Sequence, residues 1–210
     1  SFGKCLFMPA DLTAGLEYNR DNLKDDMWGY NRYTKQTVNI GSAFLQNEWK
    51  NEKWSILLGG RLDKHNLINH VIFSPRANLR FNPSEDINLR LSYSSGFRAP
   101  QAFDEDLHIE NVGGTVSMIE RAKNLKEEKS QSFSASADMY HRFGAFQVNF
   151  LVEGFYTRLS DVFVLENIGE RDGILIKERR NGSGAKVLGL SMEGKMAYLS
   201  LFQLQAGVTL

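Results

Sequence analysis

Cysteine is almost absent from this chain of 210 residues, whose single Cys5 has no second thiol with which to form an internal disulfide. Long apolar runs are absent as well: the longest unbroken run of apolar or glycine residues covers residues 56–60, whereas a membrane-spanning helix needs about 20 residues. Neither sign of charge is in excess, because 25 basic residues face 25 acidic ones. These absences exclude a disulfide scaffold, a Cys-rich metal site and transmembrane helices, and they give no electrostatic reason to expect a nucleic-acid partner.

What the sequence does contain is apolar residues at every second position, over segments longer than the strands of most soluble proteins. In residues 87–94, for example, the apolar Leu89, Leu91 and Tyr93 alternate with the polar Arg90 and Ser92. Such alternation predicts strands with one apolar and one polar face. We predict nine long strands, at residues 12–18, 36–49, 53–65, 73–81, 87–97, 130–141, 145–159, 184–196 and 200–210.

The connections between these strands alternate in length. Long connections are predicted at residues 19–35, 66–72, 98–129 and 160–183, and short ones at 50–52, 82–86, 142–144 and 197–199. Short turns at one end and long loops at the other are typical of outer-membrane barrels. The predicted fold is therefore all-β, an antiparallel up-and-down meander that forms part of a transmembrane β-barrel. Within the last long connection, residues 162–165 and 174–176 are predicted to form a hairpin beyond the membrane.

The first long connection is rich in aromatic residues. Trp28, Tyr30 and Tyr33 lie among charges of both signs. One interpretation is a rim that contacts a ligand, and the other is a solvated loop whose aromatic rings pack on neighbouring loops.

Four motifs resemble the barrel of TonB-dependent outer-membrane receptors. Residues 96–100 read Gly-Phe-Arg-Ala-Pro at the end of a predicted strand, and an acidic piece, residues 101–108, follows them. Residues 124–130 resemble the family pattern N-x-x-L-K-P-E-x-S, with Glu127 where the family usually has proline, a change expected to loosen the turn. Residues 155–162 and 181–193 resemble the next two strands of the family in the order that the family requires.

The resemblance implies a function as well as a fold. Family barrels have about 22 strands, so the chain is expected to be a partial barrel over residues 1–210, without the plug domain and the C-terminal strands. The implied function is energy-coupled uptake of a small ligand, such as a siderophore, haem, cobalamin or glycan, across the bacterial outer membrane. The implied partners are outer-membrane lipid, the small-molecule cargo and the inner-membrane TonB complex, which acts through the plug. No cofactor, metal or enzymatic activity is expected.

Four arginines on polar strand faces are candidate contacts in the barrel interior: Arg61, Arg76, Arg80 and Arg90. One interpretation is attraction of an anionic ligand or an ion pair with the plug. The other is pairing with nearby carboxylates such as Asp63 and Glu48, since barrel interiors are polar in any case.

The motif at residues 96–100 is expected to hold the start of the longest loop. Gly96 permits unusual backbone angles, and Pro100 ends the ladder because it lacks an amide donor. Arg98 is predicted to bind a carboxylate through its planar guanidinium, and the nearest candidates in sequence are Asp104, Glu105 and Asp106.

Little in the sequence supports a catalytic or metal site. No G-x-S-x-G, P-loop, HExxH or dinucleotide motif occurs, and His65 and His70 are expected to be solvated loop residues. His108 remains a candidate ligand contact. Two alternatives stay open: an outer-membrane barrel enzyme that uses His108 with Asp104 and Asp106, and a soluble carbohydrate-binding β-sandwich that stacks sugars on its exposed aromatic residues.

Overall fold

The computed structural model describes residues 8–30, 32–102, 110–112 and 115–210. A single turn of 3-10 helix, Trp28–Tyr30, joins the first two strands. In these parts of the chain the strands are β1 (Ala10–Met27), β2 (Arg32–Lys50), β3 (Trp54–His65), β4 (Val71–Ser84), β5 (Ile87–Arg98), β6 (Glu110–Val112), β7 (Thr115–Arg121), β8 (Glu128–Phe143), β9 (Phe146–Ser160), β10 (Phe163–Arg171), β11 (Ile174–Asn181), β12 (Ala185–Tyr198) and β13 (Phe202–Thr209). No helix among the described residues is long and apolar enough to cross a membrane.

Nine of these strands form one antiparallel sheet in the order β1-β2-β3-β4-β5-β8-β9-β12-β13. This confirms the predicted nine-stranded meander. The short connections 51–53, 85–86, 144–145 and 199–201 lie at one end of the sheet, and the connections 28–31, 66–70, 99–127 and 161–184 lie at the other.

The prediction of a long connection at residues 19–35 is wrong. Residues 19–27 continue β1 and residues 32–35 begin β2, and the two strands stay paired from Ala10 opposite Trp49 to Met27 opposite Arg32. The third strand joins only up to Ile40 opposite His65, so beyond that point β1 and β2 project past the rest of the sheet as a hairpin. Other long connections contact this hairpin, since Arg32 donates to the Ile119 carbonyl and Gln36 accepts from the Ala102 amide. Because the β1 half of this projection is largely exposed, its sequence needs no apolar alternation, and the alternation pattern could not reveal it.

A second sheet lies in the long connections and has the order β10-β11-β7-β6. The predicted hairpin is confirmed as β10 and β11, which turn at Asp172 and Gly173, both with positive φ. The strands β6 and β7 were not predicted, and β7 pairs with β11 in parallel. Arg180 strengthens the hairpin through ion pairs of 2.7 Å to Glu166 and 2.6 Å to Glu178.

The nine-stranded sheet has two faces of opposite character. Residues that lie directly opposite in neighbouring strands share a face, and one such row crosses six strands at Leu58, Ala77, Tyr93, Phe133, Tyr156 and Leu188. We call this side the apolar face. Its side chains remain exposed, for example Leu58 at 51% and Leu188 at 79%.

The opposite side, the polar face, carries hydroxyl, amide and charged groups. Its rows hold hydrogen bonds such as the one of 2.6 Å between the hydroxyls of Ser92 and Ser134. Buried apolar side chains are few in the described chain, and three of them, Ile68, Ile72 and Ala99, form a cluster with Phe97 near the long-loop end. A soluble sandwich would bury its apolar face, so the alternative of a soluble β-sandwich is not supported.

The ladder between β4 and β5 does not run the whole length of these strands. It begins at Arg76 opposite Ser94, while β4 already pairs with β3 before that point, through Pro75 opposite Gly60. Pro75 therefore lies where one side of the strand has no ladder partner, which is where a residue without an amide donor is tolerated.

We predict that the two faces respond differently to an added charge. Leu91→Arg on the apolar face is expected to cost about 2–4 kcal/mol of unfolding free energy near the bilayer midplane, and the same holds for Leu58, Phe150 and Leu204. The neighbouring Ser92→Arg, on the polar face, is the matched control and should cost much less, as should Gln147→Arg. Urea unfolding of the full-length protein in lipid vesicles measures both, and equal penalties on the two faces would contradict the assignment.

Candidate functional site

A cavity of about 570 Å³ opens on the polar face where β4 separates from β5. The charged residues in its lining are Arg61 and Arg76, and its other polar groups include Gln46, Asn78 and Ser94. The cavity brings together two of the four predicted arginines. Arg80 and Arg90 lie further along the same face, directly opposite each other on β4 and β5.

Arg61 is fully engaged within the sheet. Its Nε donates to Asp63 Oδ1 at 2.8 Å, its Nη1 to Glu17 Oε2 at 2.9 Å and its Nη2 to the Ser42 hydroxyl at 2.8 Å. Ser42 in turn donates to Asp63 Oδ1 at 2.6 Å, and the Asp63 side chain is only 4% exposed. Arg61 is therefore paired with carboxylates of its own sheet, and its guanidinium offsets the hydration that the buried Asp63 carboxylate loses.

The other arginines are held less completely. Arg90 Nε donates to Asn88 Oδ1 at 2.7 Å, and the buried Nε of Arg80 has no hydrogen-bond partner within the described chain. Glu48, an expected partner, instead accepts a hydrogen bond of 2.7 Å from the Ser55 hydroxyl. Like charges directly across a strand pair are destabilising, so the adjacent guanidinium groups of Arg80 and Arg90 favour a nearby anion.

The predicted aromatic rim lies at the tip of the β1–β2 hairpin. Trp28 is 90% exposed, so it does not pack on a neighbouring loop within the described structure. Tyr33 is 61% exposed, and the Nζ atom of Lys24 lies 5.9 Å from the centre of its ring. Tyr30 belongs to the connecting turn, but its side chain lies outside what the structure describes.

The expected role of Gly96 is wrong. Gly96 lies within β5 opposite Ser130 and does not have a positive φ. A Cβ atom at this position would lie 3.3 Å from the Ser130 hydroxyl oxygen, a tight contact that a small movement of this side chain would relieve. The ladder ends after Arg98, before Pro100, as Pro100 requires.

Arg98 lies at the base of the β10–β11 hairpin. Its guanidinium carbon is 5.7 Å from the centre of the Phe163 ring, within the range of a cation–π contact. Glu128, directly opposite Arg98 in the ladder, accepts a hydrogen bond of 2.9 Å from the Phe163 amide. The predicted carboxylate partners Asp104, Glu105 and Asp106, together with His108, lie outside the described residues.

Asn181 joins two long connections, a role that the sequence analysis missed. Its side-chain oxygen accepts from the Lys126 amide at 2.8 Å, and its side-chain nitrogen donates to the carbonyls of Lys126 at 3.1 Å and Asp161 at 2.7 Å. The position of Asn181 at the start of a family-like motif, shortly before the predicted strand at residues 184–196, was the available signal. A single asparagine can satisfy both groups of a facing backbone because its amide is both donor and acceptor.

Glu127 is buried rather than loosely held, which corrects the expectation of a looser turn. Its Oε1 lies 3.0 Å from Lys129 Nζ and 3.1 Å from His70 Nε2. Burial alone would raise the pKa of Glu127, but a hydrogen bond to its own backbone amide and the charges of Lys129 and His70 outweigh burial and lower it. The carboxylate thus ties residues 126–129 to the β3–β4 connection.

His65 is also not the solvated residue that the sequence predicted, since it is fully buried at the loop end of β3. Its Nδ1 accepts a hydrogen bond of 3.0 Å from the Leu67 amide, which makes the ring a local cap for the β3–β4 connection. His70, in contrast, is 57% exposed as expected. Within the described part of the chain, no group of His, Cys, Asp and Glu side chains has the arrangement of a metal site.

Residues 2–210 match the family described as TonB dependent receptor-like, beta-barrel. Comparison with curated protein sequences gives no match.

Three solved structures illustrate the fold similarity. The siderophore receptor PirA from Pseudomonas aeruginosa superposes with a TM-score of 0.76 at 17% identity, over 97% of this chain and 40% of its own. A mutant of the ferric enterobactin receptor PfeA from Pseudomonas aeruginosa gives 0.71 at 17% identity, over 97% and 33%. The FrpB iron transporter from Neisseria meningitidis gives 0.68 at 15% identity, over 95% and 33%. The chain therefore spans well under half the length of these receptors.

We predict that Arg61 supports folding and that Arg76 does not. Arg61→Gln removes the charged partner of the buried Asp63 and is expected to cost about 1–3 kcal/mol of unfolding free energy. Arg76→Gln removes an exposed guanidinium from the same cavity and should change stability by less than about 0.5 kcal/mol. Denaturant titration of both variants measures the difference, and a tolerated Arg61→Gln would argue against the network described above.

We also predict an acid-sensitive contribution from Glu127. Because its pKa is lower in the folded than in the unfolded chain, its stabilisation is present above the unfolded value and is lost as pH falls through the folded value. Unfolding free energy measured between about pH 7 and about pH 3 should therefore fall less steeply for Glu127→Gln than for the parent. Glu52→Gln, at an exposed turn, is the control, and an unchanged profile for Glu127→Gln would contradict the prediction.

Proposed function

The chain belongs to the TonB-dependent receptor family of β-barrels, and from this we propose that it forms part of the barrel of an outer-membrane receptor for energy-coupled uptake of a small ligand. The observation that supports the proposal most strongly is the nine-stranded antiparallel meander with one exposed apolar face and one polar face. A two-faced meander of this kind suits a wall between lipid and a wet interior.

In this proposal the apolar face contacts outer-membrane lipid and the polar face lines the barrel interior. The receptor is passive, with no reaction to catalyse, and its work comes from the inner-membrane TonB complex through a plug domain. Because the chain spans between 33% and 40% of the length of the three receptors compared above, these statements about a whole receptor remain part of the proposal.

We propose an anionic, siderophore-like cargo. Two observations support this class: the polar face carries Arg76, Arg80 and Arg90, and the compared structures are named as siderophore, ferric enterobactin and iron receptors or transporters. Arginine suits anions with several oxygens because its planar fork donates two parallel hydrogen bonds. An acidic segment of the plug is the other anion that these arginines would accept.

The exposed aromatic residues at the hairpin tip are proposed as a first contact for the cargo. Trp28 and Tyr33 present large, rigid surfaces at the long-loop end, and Tyr33 lies next to the Lys24 ammonium. Aromatic rings beside cations suit ligands that combine ring systems with negative charge. The tip and the arginines would then act in sequence, the tip before the interior.

A binding and uptake experiment separates these roles. In the full-length receptor, the double variant Arg76→Gln with Arg80→Gln should weaken binding of a ferric siderophore if the arginines contact cargo, and should lower uptake with unchanged binding if they contact the plug. Trp28→Ala should slow capture, and Lys53→Gln, at the short-turn end, is the matched control. Uptake of a panel of ferric siderophores that is indifferent to an uncoupler or to deletion of the receptor gene would contradict the proposed function.

A further inference from the structure

Two cations lie side by side on the apolar face, near its long-loop end. Arg158 on β9 is directly opposite Lys186 on β12, and the row continues through Gln131 on β8 to Ser95 on β5. Both basic residues are exposed, and neither forms an ion pair or hydrogen bond within the described chain. Because like charges directly across a strand pair destabilise a sheet, this arrangement favours an anion from outside the protein.

The neighbouring residues do not supply that anion. Glu128 on β8 accepts a hydrogen bond of 2.9 Å from the Phe163 amide, and Glu127, just before that strand, is already held by Lys129 and His70. Lys64, another cation at this end of the apolar face, donates instead to the carbonyls of Ile68 and Asn69, both at 3.2 Å. Arg158 and Lys186 thus differ from Lys64 and Lys129, the nearby basic groups of this face that have protein partners in the described structure.

An apolar furrow of about 820 Å³ begins in the row next to the two cations. Small residues, Ala77, Ala135 and Gly154, form part of its lining. Larger side chains stand along it, including Tyr93, Phe133, Tyr156 and Leu188. Its volume falls in the range of about 300–1,000 Å³ that is usual for small-molecule sites, and its polar groups are few.

The position of the two cations along the strands shows at which end of the apolar face the site lies. At the short-turn end, the outward strand positions that the structure describes carry aromatic side chains, such as Trp54, Phe81 and Tyr198, and none of them is Lys or Arg. Basic residues on the apolar face are thus restricted to the long-loop end. Aromatic residues suit either membrane interface, whereas unpaired cations on one side suit a leaflet with anionic headgroups.

We propose that Arg158 and Lys186 bind the phosphate of a membrane lipid whose acyl chain occupies the furrow between Ala135 and Gly154. This occupant satisfies both parts of the site, since a free phosphate leaves the furrow empty and a neutral lipid leaves the cations uncompensated. The inference rests on the membrane location in the proposed function, but it adds a binding site on the outside of the barrel, away from the cargo route.

Retention of phosphatidic acid by the full-length receptor in mild detergent, counted by native mass spectrometry, tests the proposal. Arg158→Gln with Lys186→Gln should lower retention about 25-fold, from about fivefold per cation near an anionic surface. Lys50→Gln with Lys53→Gln makes the same change in net charge at the short-turn end and should leave retention unchanged. Ala135→Trp fills the furrow, keeps both cations and should also lower retention.

Any one of the following results would overturn the lipid site. One is equal retention of phosphatidic acid by the Arg158 and Lys186 double variant and the parent. Another is full displacement of phosphatidic acid by inorganic phosphate, or equal retention of phosphatidylcholine with the same chains. The third is a concentration-dependent dimer that Ala135→Trp abolishes, which would assign the furrow to a second copy. None of these results would affect cargo uptake by the parent receptor. If the proposed function were wrong, in contrast, the parent would show no such uptake.

Discussion

Backbone hydrogen bonding in the absence of water is the constraint on which the rest of the structure depends. A chain that crosses lipid as strands must satisfy each amide and carbonyl in the ladder, and the strands of the nine-stranded sheet accordingly pair along almost their whole length. The ladder opens between β4 and β5 before Arg76, at the edge of the polar cavity. Strand pairing is interrupted or ends where the polar groups around that cavity lie, and also at the cluster of Ile68, Ile72 and Ala99.

The ladder also fixes which side chains reach lipid and which reach the interior. Successive side chains of a pleated strand point to opposite faces. Where neighbouring strands pair in regular register, residues directly opposite each other therefore lie on the same face of the sheet. The row from Leu58 to Leu188 and the pair Arg80 and Arg90 follow from the same registers. Both proposed binding sites, the arginines inside and the Arg158–Lys186 pair outside, are therefore consequences of strand register rather than of loop conformation.

The sequence predicted what this alternation controls. The number and order of the nine long strands and the four short turns at one end were correct, because an apolar face and a polar face impose a period of two. The bounds of the first two strands were not, since β1 reaches Met27 and β2 begins at Arg32. It did not predict the projecting β1–β2 hairpin, the strand β7 or the parallel pairing with β11, since their buried residues, such as Val38, Ile119 and Ile176, lie in long connections that meet only in the folded chain. It assigned Arg61 to the interior but could not choose between pairing and ligand contact, and it missed the burial of His65 and Glu127, which depends on loops brought together by folding.

The most direct test of the two-faced wall is a scan of nitroxide labels along β5, residues 87–98, in the full-length receptor in lipid vesicles. The account predicts that labels at Leu89, Leu91 and Tyr93 collide with oxygen dissolved in lipid. Labels at Arg90, Ser92 and Ser94 should instead collide with a water-soluble nickel chelate, or be shielded from both. Accessibility without a period of two, or contact of both sets with water alone, would contradict it.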